Sequence, residues 1–193
     1  MVTLLATVYG TDPVLIAAHK LSADKLILFV DDEDNKKQEE SVSLIKASLG
    51  RIITIELVKT AVYDVVEIAR KVAEVIDKQE GSVYVSITSG RKTKALGVLF
   101  GAYARSEKVK KIIYYPEEKG MEPVYLPILQ FSLTDSQKKV LHQLANGGVE
   151  SAMELSEKAD ISKAMFYRNI KELEEKGLVE DMKLTDAGKI VRV

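Results

Sequence analysis

Short apolar runs alternate with helical stretches from the start of the chain to about residue 127. The first runs cover residues 2–9, 25–30 and 52–58, and the stretches between them carry apolar residues at helical spacing. A strand, a helix and a second strand in this order typically form a right-handed crossover between parallel strands. The alternation therefore predicts an open α/β sheet with helices on its faces, within residues 1–128.

Turn residues and helix caps predict the other elements of this first domain. Asp12 and Pro13 have the pattern of an N-cap followed by a first helical residue, and Gly50 and Gly81 are expected to end helical segments. The remaining predicted elements are helices over residues 12–20, 35–49, 63–78 and 93–106, a strand over 83–88, and a β-hairpin with strands 112–115 and 124–126 around the turn 116–120. The predicted fold is Rossmann-like.

Two strand-to-helix junctions form the candidate ligand site, because open parallel sheets bind ligands beyond the carboxyl ends of their strands. Gly10 permits a sharp turn in the first junction, and the second, residues 88–93, combines hydroxyls with two cations. Unpaired N–H groups and partial positive charge at a helix start favour an anion, so these junctions predict a phosphate-binding site. The candidate ligand-binding residues are Gly10, Thr11, Asp12, Thr88, Ser89, Gly90, Arg91, Lys92 and Thr93.

A purely structural interpretation of the second junction stays open. In that interpretation Gly90 only turns the chain, Thr88 and Ser89 cap it, and Arg91 and Lys92 are solvated. Neither junction contains a Gly-x-Gly-x-x-Gly dinucleotide fingerprint or a Walker A sequence. A nicotinamide dehydrogenase and a P-loop ATPase are therefore disfavoured.

The composition argues against several other kinds of site. The chain has no Cys and only two His, His19 and His142, so it has little material for disulfides, zinc or iron–sulfur sites, thiol nucleophiles or a Ser-His-Asp triad. We expect no metal and no cofactor. Apolar runs stay far below the about 18 residues of a membrane span, and no basic signal-peptide region precedes them. A cytoplasmic protein without membrane contact is predicted, and its Lys- and Glu-rich composition fits a heat-adapted source.

From residue 132 to residue 193 the pattern changes to helices followed by a short hairpin, an α+β arrangement. Capping-box sequences at 134–137 and 151–154 indicate two helix starts, and Ser162 is expected to cap a third helix that ends at Gly177. Helix, turn, capped helix and hairpin in this order predict a winged helix-turn-helix domain, whose third helix enters the major groove of DNA.

The third helix carries the candidate DNA-binding residues. Phe166, Ile170 and Leu173 repeat at helical spacing and are expected to face the core. The chain has a net charge of -1, so binding to double-stranded DNA has to come from a local patch such as residues 162–171, which hold cations and no carboxylate. The candidate DNA-binding residues are Ser162, Lys163, Met165, Tyr167, Arg168 and Lys171. A solvated helix face or a protein-docking winged helix is the alternative.

The second domain resembles the winged helix of MarR- and ArsR-like regulators of archaea and bacteria. The matching residues are 161–163, Phe166, Arg168, 173–179 and, after the wing, 184–188. The wing itself, residues 180–183, is short and carries two acidic residues, so it is poorly suited to contact the minor groove.

The first domain resembles the CARF domain, the Rossmann-like sensor module of CRISPR-associated proteins. The resemblance is carried by the turn at 10–12 and by residues 87–93, in which Ser89 stands where Gly is common and Arg91 where a small hydroxyl residue is common. A CARF domain followed by a winged helix is the layout of archaeal CRISPR-associated transcriptional regulators. That resemblance implies a homodimer that binds cyclic oligoadenylate, most often cyclic tetraadenylate, across its two-fold axis and controls CRISPR genes.

Two alternative functions remain open at this point. Some CARF domains cleave their own ligand, and Lys92 would stabilise the charge that develops when a 2′-hydroxyl attacks the neighbouring phosphate. No residue is an obvious general base for such a ring nuclease. The winged helix would otherwise serve as an interaction module that docks onto a CRISPR effector protein. An Arg-x4-His ribonuclease motif is absent from the sequence.

Overall fold

The structure is a computed structural model that describes residues 1–116, 122–128, 133–146 and 151–192. Its contacts divide into two compact units, Met1–Gln130 and Phe131–Val193. Most of the predicted turn at 116–120 lies outside the described residues, as does the predicted first residue of the second domain, Ser132. In the part that is described, no helix is both long and apolar enough to cross a membrane.

The first unit is a mostly parallel sheet with helices on both faces. Its strands are β1 (Val2–Thr7), β2 (Lys25–Asp31), β3 (Thr54–Thr60), β4 (Ser82–Ser86), β5 (Val109–Tyr114) and β6 (Val124–Leu126), and its helices are α1 (Asp12–Lys20), α2 (Lys36–Leu49), α3 (Val65–Asp77) and α4 (Lys92–Ala104). The strand order is β3-β2-β1-β4-β5-β6, and β6 alone among these strands pairs antiparallel. The predicted Rossmann-like fold is confirmed.

Successive residues of the central strands point into two separate apolar layers, because side chains alternate between the faces of a sheet. Leu4 and Leu28 pack with α1 and α2, whereas Leu5 and Phe29 pack with α3 and α4. All four side chains are completely buried. Burial on both faces explains why these strands are continuous apolar runs in the sequence.

Helices α3 and α4 pack closely because α4 has glycines at its contact points. A Cβ atom at Gly97 would lie 2.6 Å from Ile68 Cβ, and one at Gly101 would lie 2.6 Å from Val72 Cβ. The absence of side chains at these two positions therefore lets the helices approach each other. This contact holds α4, whose first residues end the second candidate junction, against α3.

Several predicted boundaries differ from the structure, including the ends of β1, β4 and α4, and three differences have identifiable reasons. Thr11, and not Asp12, occupies the N-cap position of α1, and no side-chain cap hydrogen bond forms there. Strand β3 begins at Thr54 because the N–H groups of residues 52 and 53 still bond the carbonyl of Leu49. Strand β5 begins at Val109, three residues before its predicted start. The exposed lysines at 110 and 111 interrupt the apolar run, so the apolar pattern does not reveal the first residues of this strand.

The second unit has the predicted winged-helix order. Its elements are α5 (Asp135–Asn146), α6 (Ala152–Lys158), α7 (Lys163–Glu175), β7 (Val179–Glu180), β8 (Lys183–Leu184) and α8 (Asp186–Arg192). Strands β7 and β8 pair antiparallel. Phe166, Ile170 and Leu173 of α7 are buried in its core, as their spacing predicts.

The predicted caps of this unit are present. The backbone N–H of Gln137 donates to Thr134 Oγ1 at 3.2 Å, and the N–H of Thr134 donates to Gln137 Oε1 at 3.1 Å, which completes a capping box. The capping box of Ser151 and Glu154 also forms. Ser162 accepts the N–H of Met165 at 3.2 Å, so α7 begins where its sequence predicts.

Candidate ligand-binding and nucleic-acid-binding sites

Two candidate loops meet where the strand order reverses. The loop after β1 covers residues 8–11 and the loop after β4 covers residues 87–91, and these two strands are neighbours with chain connections that lead to opposite sides of the sheet. Ser89 Oγ joins the loops because it accepts the N–H groups of Tyr9, at 2.9 Å, and Gly10, at 2.8 Å. The carboxyl edge at such a reversal is the usual ligand site of an open α/β sheet.

The threonine hydroxyls of the second junction hold the loop and do not point freely into solvent. Thr88 Oγ1 accepts the N–H of Tyr115 at 2.8 Å, beyond the end of β5. Thr93 Oγ1 donates to the carbonyl of Val62 at 2.8 Å, in the loop between β3 and α3. These hydroxyls therefore hold the loop in position through hydrogen bonds to the backbone of neighbouring loops.

The two glycines of the junctions play different roles. Gly90 has a φ of +112°, a conformation that side chains other than hydrogen rarely permit, so it turns the chain into α4. Gly10 does not adopt a positive φ, and a Cβ there would lie 3.8 Å from Ser89 Oγ, at ordinary contact distance. The turn at Gly10 therefore does not use a conformation reserved for glycine. Thr11 is partly buried beside it, and Asp12 is exposed.

A buried ion pair lies beneath the junctions. Lys94, in the first turn of α4, places its Nζ 3.0 Å from Asp31 Oδ1, and each side chain is only 2% exposed. The same Nζ donates to the carbonyls of Val30, Thr60 and Ala61, each at 3.1 Å, and also contacts the Thr60 hydroxyl. An ammonium group surrounded by oxygens thus caps the ends of β2 and β3.

The surroundings of this pair change both of its pKa values. Burial raises the pKa of Asp31, but the contacts with Lys94, Asn35 and Arg91 outweigh it and hold the pKa below its usual value. Burial lowers the pKa of Lys94, and the neighbouring Asp31 carboxylate offsets this effect only in part. Asp31 is therefore ionised at neutral pH, and the pKa of Lys94 lies below its usual value.

Arg91 and Lys92 lie at the exposed rim above this pair. Arg91 Nε is 3.4 Å from Asp31 Oδ2, and Arg91 Nη1 donates to the Tyr63 hydroxyl at 3.0 Å. The guanidinium also lies 5.6 Å from the centre of the Tyr63 ring, a cation–π contact. The Arg91 side chain is 42% exposed, and Lys92 is exposed as well. The rim thus presents two cations and an aromatic ring to solvent.

All six candidate DNA-binding residues are exposed, five of them on α7 and Ser162 at its N-cap. Ser162 begins this helix, and Met165 and Tyr167 are about half exposed despite their apolar surface. Arg168 is paired, because its Nε lies 3.0 Å from Glu172 Oε1 one turn further along. The remaining exposed members of the face are Lys163 and Lys171.

The wing is a minimal hairpin. Asp181 and Met182, between β7 and β8, have φ values of +47° and +61°. Two successive positive φ values are typical of the type I′ turns that connect two strands directly. Glu180 and Asp181 place acidic side chains here, so the described wing has the short, acidic character that its sequence predicts.

Comparison with protein families identifies the first unit. The family model described as HFX_2341_N:-like, N-terminal matches residues 1–119. The chain belongs to this family. A second family model, described as the sugar-specific transcriptional regulator TrmB, matches residues 129–189. The chain thus joins an HFX_2341_N-like domain to a winged helix of the type found in TrmB transcription regulators. No curated protein matches it.

Solved structures share the fold of the chain. Can2 from Sulfobacillus thermosulfidooxidans, in complex with cyclic tetra-adenylate, has a TM-score of 0.54 and 13% identity over 92% of this chain. A type III CRISPR defence DNA nuclease activated by cyclic oligoadenylate has a TM-score of 0.52 and 16% identity over 90% of this chain. The matches span 66% and 30% of those longer chains.

Four residues that contact the candidate site residues or their partners were not identified from the sequence. In the HFX_2341_N-like domain these are Asp31, Tyr63 and Lys94. Lys94 precedes Val98 by one turn on the buried face of α4, and a lysine at a core position signals a buried acidic partner. In the winged helix, Glu172 lies four residues after Arg168, which is the spacing of a helical ion pair. Tyr63 carries no comparable signal.

Proposed function

We propose that this chain is a transcription regulator that binds cyclic oligoadenylate through its HFX_2341_N-like domain and double-stranded DNA through its winged helix. It acts as a homodimer and regulates CRISPR genes. The observation that carries this proposal is that one chain combines two exposed cationic surfaces: the rim of Arg91 and Lys92 at the strand-order reversal, and the face of α7. The rim is suited to a polyanionic effector, and the face of α7 is suited to DNA.

Charge supports the choice of effector. A cyclic tetranucleotide carries about four phosphate charges, and two subunits that each present Arg91 and Lys92 would bring about four cations to a shared cleft. Lys92 is the first residue of α4, so its backbone lies at the N-terminus of a helix, where the partial positive charge favours phosphate.

The aromatic ring of Tyr63 supports a nucleotide over a simple anion. Tyr63 is 68% exposed, and its ring lies beside the guanidinium of Arg91. Exposed aromatic rings next to cations are typical platforms for bases of single-stranded nucleic acids. The bound cyclic tetra-adenylate of Can2 supports the same ligand class.

The exposed face of α7 supports the DNA-binding half of the proposal. Lys163 and Lys171 would neutralise phosphates, and Ser162 at the helix start would contact the backbone of the duplex. The family match to TrmB covers this unit, so it bears on DNA binding and not on the effector.

The effector is tested by calorimetric titration and thermal shift with cyclic tri-, tetra- and hexaadenylate. A ligand that binds only the folded state raises the Tm, and one of these rings is expected to do so. Arg91→Ala and Lys92→Ala should each abolish or reduce the increase in Tm. Lys46→Ala, in the last turn of α2, should leave the increase unchanged. The absence of a shift with every ring would refute the choice of effector. Linear products in the titrated samples would identify the protein as a ring nuclease.

DNA binding is tested by fluorescence anisotropy with duplex DNA over a series of salt concentrations. Lys163→Ala and Lys171→Ala should weaken binding and reduce the salt dependence, because each removes a phosphate contact. Lys138→Ala, an exposed lysine of α5, is the matched control. Unchanged affinity in both α7 variants would refute the assignment of this face, and capture of a protein partner in its place would favour an interaction module.

A further inference from the structure

A carboxylate lies immediately beside the candidate phosphate site, where its charge would oppose a polyanion. Asp31, at the end of β2, accepts from Asn35 Nδ2 at 3.1 Å and lies 3.4 Å from Arg91 Nε through the same oxygen, Oδ2. Its side chain is only 2% exposed, so solvent does little to screen it. The site tolerates this charge only if something compensates it.

Lys94 supplies that compensation independently of Arg91. It contacts Oδ1 of Asp31, the oxygen that faces away from the Arg91 contact, and its other bonds to β2 and β3 keep it buried. Asp31 and Lys94 together are neutral. Arg91 is therefore a surplus cation, and Asp31 keeps two partners when Arg91 leaves.

The contact between Arg91 and Asp31 is suited to exchange. It involves a single guanidinium nitrogen at 3.4 Å, which is long for a hydrogen bond, and the arginine is 42% exposed. A phosphate offers two oxygens to a guanidinium in the stronger paired geometry. The ligand can thus replace a weak internal contact of Arg91 with a stronger external one.

We propose that Arg91 exchanges between Asp31 in the free protein and a ligand phosphate in the complex, so that Asp31 is a positioning residue and an internal competitor for the ligand. This inference rests on the proposed function, because the competing phosphate belongs to the cyclic oligoadenylate. Lys94 makes the exchange possible by keeping Asp31 neutralised in both states.

The first experiment measures the affinity of Asp31→Asn for the ring that binds the natural chain. Removal of the competitor should tighten binding by roughly fivefold, the equivalent of about 1 kcal/mol for a partly exposed ion pair. Asp32→Asn removes the same charge from the next, exposed residue and should change the affinity much less. Binding that does not tighten in Asp31→Asn, or that tightens equally in Asp32→Asn, overturns the proposal.

A double-mutant cycle separates exchange from simple charge removal. In an Arg91→Ala background, Asp31→Asn should give a clearly smaller gain in affinity, because no guanidinium remains to be released and only the loss of the carboxylate charge acts on the ligand. An equal gain with and without Arg91 overturns the proposal. If Asp31→Asn alone fails to fold, Asp31→Asn combined with Lys94→Met keeps the buried site neutral and allows the same comparison.

A second readout does not depend on the cyclic ligand. The Nε–Hε NMR signal of Arg91, assigned from its loss in Arg91→Lys, should shift in Asp31→Asn and stay in place in Asp32→Asn. Inorganic pyrophosphate should shift the same signal in the natural chain by drawing Arg91 away. Rings that fail to bind while pyrophosphate moves the signal would refute the proposed effector and leave the exchange standing. A signal that neither change moves overturns the exchange.

Discussion

Lys94→Met tests whether the buried ion pair stabilises the first unit through its charge. Methionine keeps most of the aliphatic stem of lysine and removes the ammonium group, so the packing against the sheet is largely preserved. Asp31 then remains in a buried position with Asn35 and Arg91 as its partners. The carbonyls of Val30 and Thr60 also lose a donor.

The expected loss of unfolding free energy is about 3 kcal/mol. Removing one partner of a buried ion pair costs about 3–5 kcal/mol, and the lower end applies because Arg91 can still approach Asp31. A domain is stabilised by only about 5–15 kcal/mol, so this is a large fraction. Asp31→Asn together with Lys94→Met should recover most of the loss, since no buried charge is then left unpaired.

Urea unfolding followed by tyrosine fluorescence measures this loss selectively. The chain has no Trp and 8 Tyr, and all of them except Tyr167 lie in the first unit. The fluorescence transition therefore reports on the unit that contains the mutation. A loss below about 1 kcal/mol in Lys94→Met, or a double variant no more stable than the single one, would refute the electrostatic explanation.

Three further predictions concern pH, backbone and DNA. The pKa of Asp31 is held below its usual 3.8, so its contribution to the free energy of unfolding is complete above that pH and is lost as the pH falls through the lower pKa of the folded state. Acid titration should therefore lower the Tm of Asp31→Asn less than that of Asp32→Asn. Gly90→Ala should destabilise the first unit by about 1–3 kcal/mol in urea, because of its positive φ, whereas Gly10→Ala should be nearly neutral, and equal effects would contradict this distinction. Glu172→Gln should release Arg168 for DNA and steepen the plot of log affinity against log salt by about one, with Glu175→Gln as the control; an unchanged slope would place Arg168 outside the interface.

The fold was predictable because its signals are local and repeated. Apolar strands buried on both faces, a capping box at Ser151 and a cap at Ser162 each determine an element from a few neighbouring residues. Boundaries failed where the local signal and the hydrogen bonding disagree. At residues 52 and 53 the apolar pattern favours a strand, but their N–H groups complete the turn that follows α2.

The candidate site was only partly predictable, because its important contacts join distant strands. The sequence points to Arg91 and Lys92 through their place after a strand, and the structure puts both at the exposed rim. No spacing rule, however, connects Asp31 with Lys94, which are 63 residues apart yet form an ion pair. The hydroxyls of Thr88 and Thr93 were expected to face a ligand, but in the structure they bond the backbone of other loops.

These contacts constrain how ligand binding at the site affects the rest of the protein. Ser89 ties the loop after β4 to the loop after β1, Thr88 ties it to the end of β5, and Lys94 ties the start of α4 to β2 and β3. A loop anchored to each of these strands is a rigid frame in which Arg91 can change partners while the backbone stays in place. Since the frame resists refolding, we expect ligand binding to act by reorienting whole subunits of the proposed dimer, as in other rigid-body transitions, and not by remodelling the loop. Hydrogen exchange at residues 87–91 that slows little on ligand binding would agree with this mechanism, whereas strong new protection confined to that loop would contradict it.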